Sequence, residues 1–262
     1  MNKLDKLFKE KKDHILSIYF TAGFPKLDDT NNVIQELQEN GVDMIEVGMP
    51  FSDPLADGPT IQHTSEVALE NGMSIRLLFD QLSKSEIKNS KAAILLMGYL
   101  NPVLQYGIEK FCQDASALGV DGVILPDLPM QEYLDEYKPV FEKYKLKNIF
   151  LITPQTSDNR IRFIDEHSKS FIYMVSSSST TGAKGEIKDA QEAYFKRIQS
   201  MKLKNPTLIG FGISDGKTFE KACEYAGGAI IGSAFVKALD ENGDLKNSIG
   251  QFIKNIQLST AK

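Results

Sequence analysis

Two carboxylates, Glu46 and Asp57, stand eleven residues apart in the run EVGMPFSDPLADGP that spans residues 46–59. The first closes a short apolar stretch, VDMIEV (42–47), in which Val42, Met44 and Glu46 alternate onto one face of a strand. An acid that shares a face with core residues costs on the order of several kcal/mol to keep ionised without partners. Its pKa rises, which suits it to giving and taking a proton near neutral pH. Glu46 also reads as a strand-end residue reaching water. Asp57 lies on a turn-rich loop, where it and Asp53 serve equally as caps for the N–H groups of a helix opening near Pro59.

Further candidates follow the other apolar runs: Tyr19 and Thr21, Tyr99 and Asn101, Asp127, Thr153 and Tyr173. Two later runs end in glycine instead, GFGIS (210–214) and GGAIIGSAF (227–235). Glycine lets backbone approach a ligand, and Ser214 and Ser233 stand where helices are expected to begin. Free N–H groups there, with the turn TTGAKG (180–185), predict a phosphate site. No lysine ends a strand-like run, since Lys91 and Lys147 precede theirs and Lys184 is in a loop, so Schiff-base chemistry is disfavoured. His14, His63 and His167 show no ligand spacing, and Cys112 and Cys223 fall in helix-like patterns, so no metal site or disulfide framework is expected. Carboxylate acid–base chemistry remains, with Tyr99 and Tyr173 as hydrogen-bond donors.

The elements that must position these residues are short. Apolar runs bounded by turn residues occur at 15–20, 42–47, 92–97, 120–125, 148–152, 171–175, 207–211 and 228–232. Between them lie polar stretches with helical spacing, such as Asp29 to Asn40 with Val33, Ile34 and Leu37, and Ile108 to Leu118 with Phe111, Cys112, Ala115 and Leu118. Eight strand–helix units predict an α/β fold, a single (β/α)₈ TIM barrel over residues 1–262, with loops after the strands carrying the chemistry. A doubly wound open sheet is the alternative, but no GxGxxG follows the first strand. Leu4, Leu7 and Phe8 predict an extra N-terminal amphipathic helix that plugs one end.

With 42% hydrophobic and 25% charged residues the chain can bury a full core. A net charge of −5 and dispersed lysines argue against a nucleic-acid surface. A charged N-terminus without an apolar segment, and no run of 18 uncharged apolar residues, predict a cytoplasmic protein with no membrane span.

The run EVGMPFSDPLADGP resembles the signature of the tryptophan synthase alpha subunit family. The resemblance continues in order through FTAGFP (20–25), LLMGYLNP (95–102), GVDGVILPDLP (119–129), TTG (180–182), GFGIS and IGSAFVK (231–237). It implies a (β/α)₈ barrel that cleaves indole-3-glycerol phosphate to indole and D-glyceraldehyde 3-phosphate. By the same resemblance Glu46 is the acid–base residue, and Asp57, ionised on a polar loop, is its partner at the indole nitrogen. Tyr173 lies over the substrate and Tyr19 lines the site. Thr181 meets Asp57 when its loop closes, and Gly182, Gly212, Gly232 and Ser233 hold the phosphate. The family implies no cofactor in this chain. Its partner is a beta subunit that carries pyridoxal phosphate, receives the indole and completes an α₂β₂ assembly. Pro50 to Pro54 and the Asn101-Pro102 loop are then expected near the shared surface.

One departure is Ser179, which stands where the family usually has glycine two places before the Thr-Gly pair, and it puts loop closure in question. Three other readings stay open at this level. One is a lyase that releases indole without a partner, and another is a silent activating subunit. The third, a phosphosugar isomerase barrel, would not explain Asp57.

Overall fold

All eight apolar runs form strands in the computed structural model, which describes residues 2–85, 87–176, 189–210, 212–241 and 244–258. They are β1 (Ile15–Thr21), β2 (Met44–Gly48), β3 (Ala93–Met97), β4 (Gly122–Ile124), β5 (Lys147–Ile152), β6 (Ile172–Val175), β7 (Thr207–Gly210) and β8 (Gly228–Ile231). Each pairs in parallel with the next, and β8 pairs with β1, which closes the (β/α)₈ TIM barrel in sequence order. Closure leaves no sheet edge and buries both faces, which is why the strands read as nearly continuous apolar runs.

Two strands, β2 and β4, start two residues later than their apolar runs, for a shared reason. Asp43 precedes β2 and its carboxylate accepts from the Leu16 N–H of β1 at 2.8 Å and from Lys11 Nζ at 2.6 Å. Asp121 precedes β4 and accepts from the Ile94 N–H of β3 at 3.0 Å and the Lys3 N–H at 2.8 Å. Each acid satisfies a strand-entry donor that the ladder cannot reach, so the ladder begins one residue further on. Both lie at the N-terminal end of the barrel, where stability rather than chemistry is served.

The helices follow the predicted spacing. Asp29–Glu39 buries Val33, Ile34 and Leu37, and Ile108–Leu118 buries Phe111, Cys112 and Ala115. The second stops at Gly119, whose φ of 91° is a left-handed C-cap. The extra N-terminal helix spans Lys3–Glu10, with Asn2 as its cap. Leu4 is fully buried, and the Phe8 ring packs 5.5 Å from that of Phe171, just ahead of β6. Lys147 opens β5 rather than preceding it, and its Nζ pairs with Asp5 of this helix at 3.0 Å. The helix therefore closes the N-terminal end and leaves the opposite mouth for a site. No helix among the described residues is long and apolar enough to cross a membrane.

Candidate active site

Barrel register decides which residues meet. Tyr19 on β1 is level with Glu46 on β2, which is level with Leu95 on β3. Ser17, two residues earlier on the same face of β1, is level with Met44. Glu46 is fully buried, and its Oε1 accepts a hydrogen bond from Ser17 Oγ at 2.8 Å. The other oxygen, Oε2, is buried without a hydrogen-bond partner among the described residues. Burial pushes the carboxyl up to about 8, with the Ser17 bond pulling the other way. Glu46 is thus a buried acid and not a strand end reaching water.

Asp57 sits on the loop after β2. It caps no helix: Pro59–Glu70 has Pro59 in its first turn and Gly58 as N-cap, with no side-chain bond. Its carboxylate instead accepts the Tyr99 hydroxyl at 2.8 Å, while that same hydroxyl accepts the Ala56 N–H at 3.0 Å. Phe51 packs on the Tyr99 ring, centroids 5.2 Å apart. The surroundings differ from the polar loop expected. Burial raises the Asp57 carboxyl to about 6, held back by the Tyr99 bond, so it is still mostly ionised at neutral pH.

Two tyrosines complete the group, each with its hydroxyl in a notch left by glycine. A Cβ on Gly48 would stand 2.3 Å from the Tyr19 hydroxyl, and one on Gly210 would stand 2.2 Å from that of Tyr173. Gly210 therefore makes room for a side chain, where the sequence suggested room for a ligand. Tyr19 continues to Thr21 Oγ1 at 3.3 Å, and Thr21 to Thr64 Oγ1 at 2.7 Å, a chain that ends on the Ile61 carbonyl. Burial, then the charges of Glu46 and Asp57, keep the Tyr173 hydroxyl protonated; burial and Asp57 do the same for Tyr19. A cavity of about 10 Å³ among Tyr19, Met49, Asp57, Ser65, Met97 and Tyr99 holds no more than a water, so an aromatic ligand entering here must displace side chains.

The remaining candidates divide. Asp127 accepts from the Leu100 N–H at 2.9 Å and so serves the start of Leu100–Tyr106, the helix that holds Asn101. Thr153 closes a local turn with Thr156, its N–H 2.9 Å from the Thr156 hydroxyl. The two glycine-ended strands lead into different helix starts. Helix Gly216–Cys223 begins at Asp215 with a reciprocal capping box, and the Ser214 N–H donates to Thr218 Oγ1 at 3.0 Å. The N–H groups of Ser214, Asp215 and Thr218 are already used there, and an acid stands among them. Gly212 has φ of 80°, in the left-handed region. Gly232 lies against the Tyr19 ring, where a Cβ would come within 3.5 Å, and Ser233 opens helix Ser233–Glu241. First-turn N–H groups of such a helix lack partners within it and suit an anion. Thr181, Gly182, Ser179 and Lys184 lie outside the described residues.

Sequence reasoning missed Ser17, Gly48, the clearance role of Gly210, and Thr64. Ser17 left a signal, a polar residue inside ILSIYF on the same face as Tyr19. The glycine notches left none, because clearance for a side chain depends on register across strands.

A closed barrel with an ionisable cluster at the carboxyl ends of its strands defines a TIM-barrel protein equipped for acid–base chemistry. The family model for the tryptophan synthase alpha chain matches residues 5–261, and the chain belongs to that family. It is similar to the tryptophan synthase alpha chain of Flavobacterium johnsoniae, at 56% identity over 98% of this chain and 100% of that one. Among solved structures it resembles the tryptophan synthase alpha chain of Legionella pneumophila, with a TM-score of 0.88, 31% identity, and coverage of 99% of this chain and 97% of that one. It also resembles a chain of the tryptophan synthase complex of Pyrococcus furiosus, with a TM-score of 0.85, 32% identity, and coverage of 94% and 99%. The family assigns the chain a lyase role in tryptophan synthesis.

Proposed function

We propose that this chain, acting as one cytoplasmic domain, is the carbon–carbon lyase that cleaves indole-3-glycerol phosphate to indole and D-glyceraldehyde 3-phosphate. The observation that carries the reading is Glu46, fully buried, with one oxygen bonded to Ser17 and the other without a partner among the described residues. Cleavage begins when the Glu46 carboxylic acid donates its proton to indole carbon 3, which leaves positive charge on the ring nitrogen. Asp57 is ionised at neutral pH and stabilises that charge. The Glu46 carboxylate then takes the proton of the adjacent glycerol hydroxyl. The O–H electrons form the aldehyde, and those of the broken C–C bond restore the aromatic ring. The proton lost from oxygen equals the one gained at carbon, so Glu46 ends as it began.

Tyr19 and Tyr173 are proposed as donors that orient the substrate, each steadied by its glycine notch. Gly182, Gly212, Gly232 and Ser233 are proposed to hold the phosphate through backbone N–H groups, with the Ser233 hydroxyl, and Thr181 to meet Asp57. No cofactor is assigned to this chain. Its proposed partner is a tryptophan synthase beta subunit in an α₂β₂ assembly, supported by the Pyrococcus furiosus relative, which is a tryptophan synthase complex. Pyridoxal phosphate belongs to that partner. Exposed Leu55 on the loop after β2 and Leu104 on helix Leu100–Tyr106 leave apolar surface on the same face, where a partner would cover it. Indole release should be lost in Glu46→Gln by about 10² to 10⁴-fold with the fold intact, the usual worth of a general acid–base group. Near-normal release from that folded variant would end the acid–base assignment.

A further inference from the structure

Ser17 is a fully buried hydroxyl on β1, in the layer below Tyr19, and nothing in the reaction above requires it. Its one described side-chain bond is to Glu46, Oγ to Oε1 at 2.8 Å. A serine hydroxyl in a barrel interior costs desolvation that an alanine would avoid, so its presence is explained by what it bonds. The bond also divides the two carboxyl oxygens. Oε1 accepts from Ser17, whereas Oε2 is buried and has no partner among the described residues. When the acid is neutral, Oε1 is the accepting oxygen and the acidic proton resides on Oε2.

We propose that Ser17 is a positioning residue for Glu46: its hydroxyl pins Oε1, selects Oε2 as the oxygen that exchanges protons with the substrate, and fixes the carboxyl plane. The proposal rests on the reading of Glu46 as the proton-transfer group. A donor to Oε1 stabilises the carboxylate more than the acid, so Ser17 also eases release of the proton that burial holds. The titratable groups that feel the charge of Glu46 are Tyr19 on β1 and Tyr173 on β6, and Asp57, on the loop after β2, acts on the same two tyrosines. Both tyrosines stay protonated across the working range, and Asp57 titrates below Glu46. The neighbour on β3 is Leu95, which carries no charge. A change in how Glu46 titrates on removal of Ser17 is therefore assignable to the lost bond.

The test uses the full chain with ¹³C-labelled glutamate carboxyl groups, the Glu46 signal being identified by its absence in Glu46→Gln. In Ser17→Ala the Glu46 titration should move up by about one pH unit, the size of one hydrogen bond to a charged group. With the beta subunit present, indole formation should show kcat down about tenfold, KM within about twofold, and the alkaline limb of the pH profile moved up with the carboxyl. Ser17→Thr, which keeps the hydroxyl on the same carbon, should restore both. Ser17→Cys, close in shape with a weaker donor, gives the same reading should the alanine variant fold poorly. An unmoved Glu46 titration in folded Ser17→Ala, or an unchanged kcat, would overturn the proposal. A shifted carboxyl in a chain whose wild type releases no indole would overturn the reaction assigned above and leave the hold of Ser17 on Glu46 standing.

Discussion

Glu46 keeps its proton to about pH 8 because the folded barrel withholds water from it, and the same burial weakens the fold. In the unfolded chain this carboxyl ionises near its ordinary 4.5, so between 4.5 and 8 the folded state binds more protons and stability falls as pH rises. Glu46→Gln has no such loss. The variant should match wild type in stability near pH 4.5 and exceed it by a few kcal/mol by pH 8, the gap widening by about 1.4 kcal/mol for each pH unit crossed. Denaturant melts at the two pH values check this, and a gain that does not grow with pH would contradict the buried-acid account. The pair also sets the shape of the rate profile. In the proposed reaction Asp57 acts ionised and Glu46 starts protonated, so kcat/KM should fall as pH drops through about 6 and again as pH rises through about 8. Tyr99→Phe removes the donor that holds Asp57 down, and should move the acid limb up and cut kcat/KM about tenfold.

The strands do more than carry side chains to one end. Tyr19 and Tyr173 each extend along the barrel axis into space that only glycine leaves, at Gly48 and Gly210. Gly48→Ala and Gly210→Ala put a methyl group within 2.3 Å and 2.2 Å of those hydroxyls, so the ring must move. Overpacking of this kind costs about 1–3 kcal/mol. The larger effect is expected on KM for the phosphate substrate, because the displaced tyrosine leaves the place proposed for it beside the substrate; unchanged KM in both variants would remove the tyrosines from binding. At this scale the sequence was only partly legible. Short apolar runs bounded by turn residues marked all eight strands, and the Ile108–Leu118 helix matched to the residue. The entry acids Asp43 and Asp121 trimmed two strands by bonds to residues of β1 and β3, partners that no local pattern can identify. The helix start after β7 looked open for phosphate until Asp215 and Thr218 proved to cap it. Caps compete with ligands for the same donors, and the serine at 214 drew attention from the aspartate beside it.

The whole molecule separates stability from chemistry by end. The Lys3–Glu10 helix, Asp43 and Asp121 secure the N-terminal end, and Leu4→Ala there should cost about 2–5 kcal/mol while leaving kcat unchanged in the folded fraction. The cluster around Glu46 and Asp57 lies toward the other end, on the side with exposed Leu55. Family membership and barrel closure were legible in the sequence because ordered motifs and eight apolar runs separated by helical stretches are long signals. The orientation of Glu46 was not, since it depends on a hydroxyl one strand away. In the proposed reaction buried Glu46 performs the proton transfers of indole-3-glycerol phosphate cleavage, and a beta subunit activates the chain. Indole formation from that substrate by wild type and Glu46→Gln, each alone and with the beta subunit, tests this role of Glu46. Wild type alone should release indole weakly, the partner should raise that release strongly, and the variant should lose at least about 10²-fold under both conditions. Wild-type rates from folded Glu46→Gln, or no release by wild type in either setting, would contradict it.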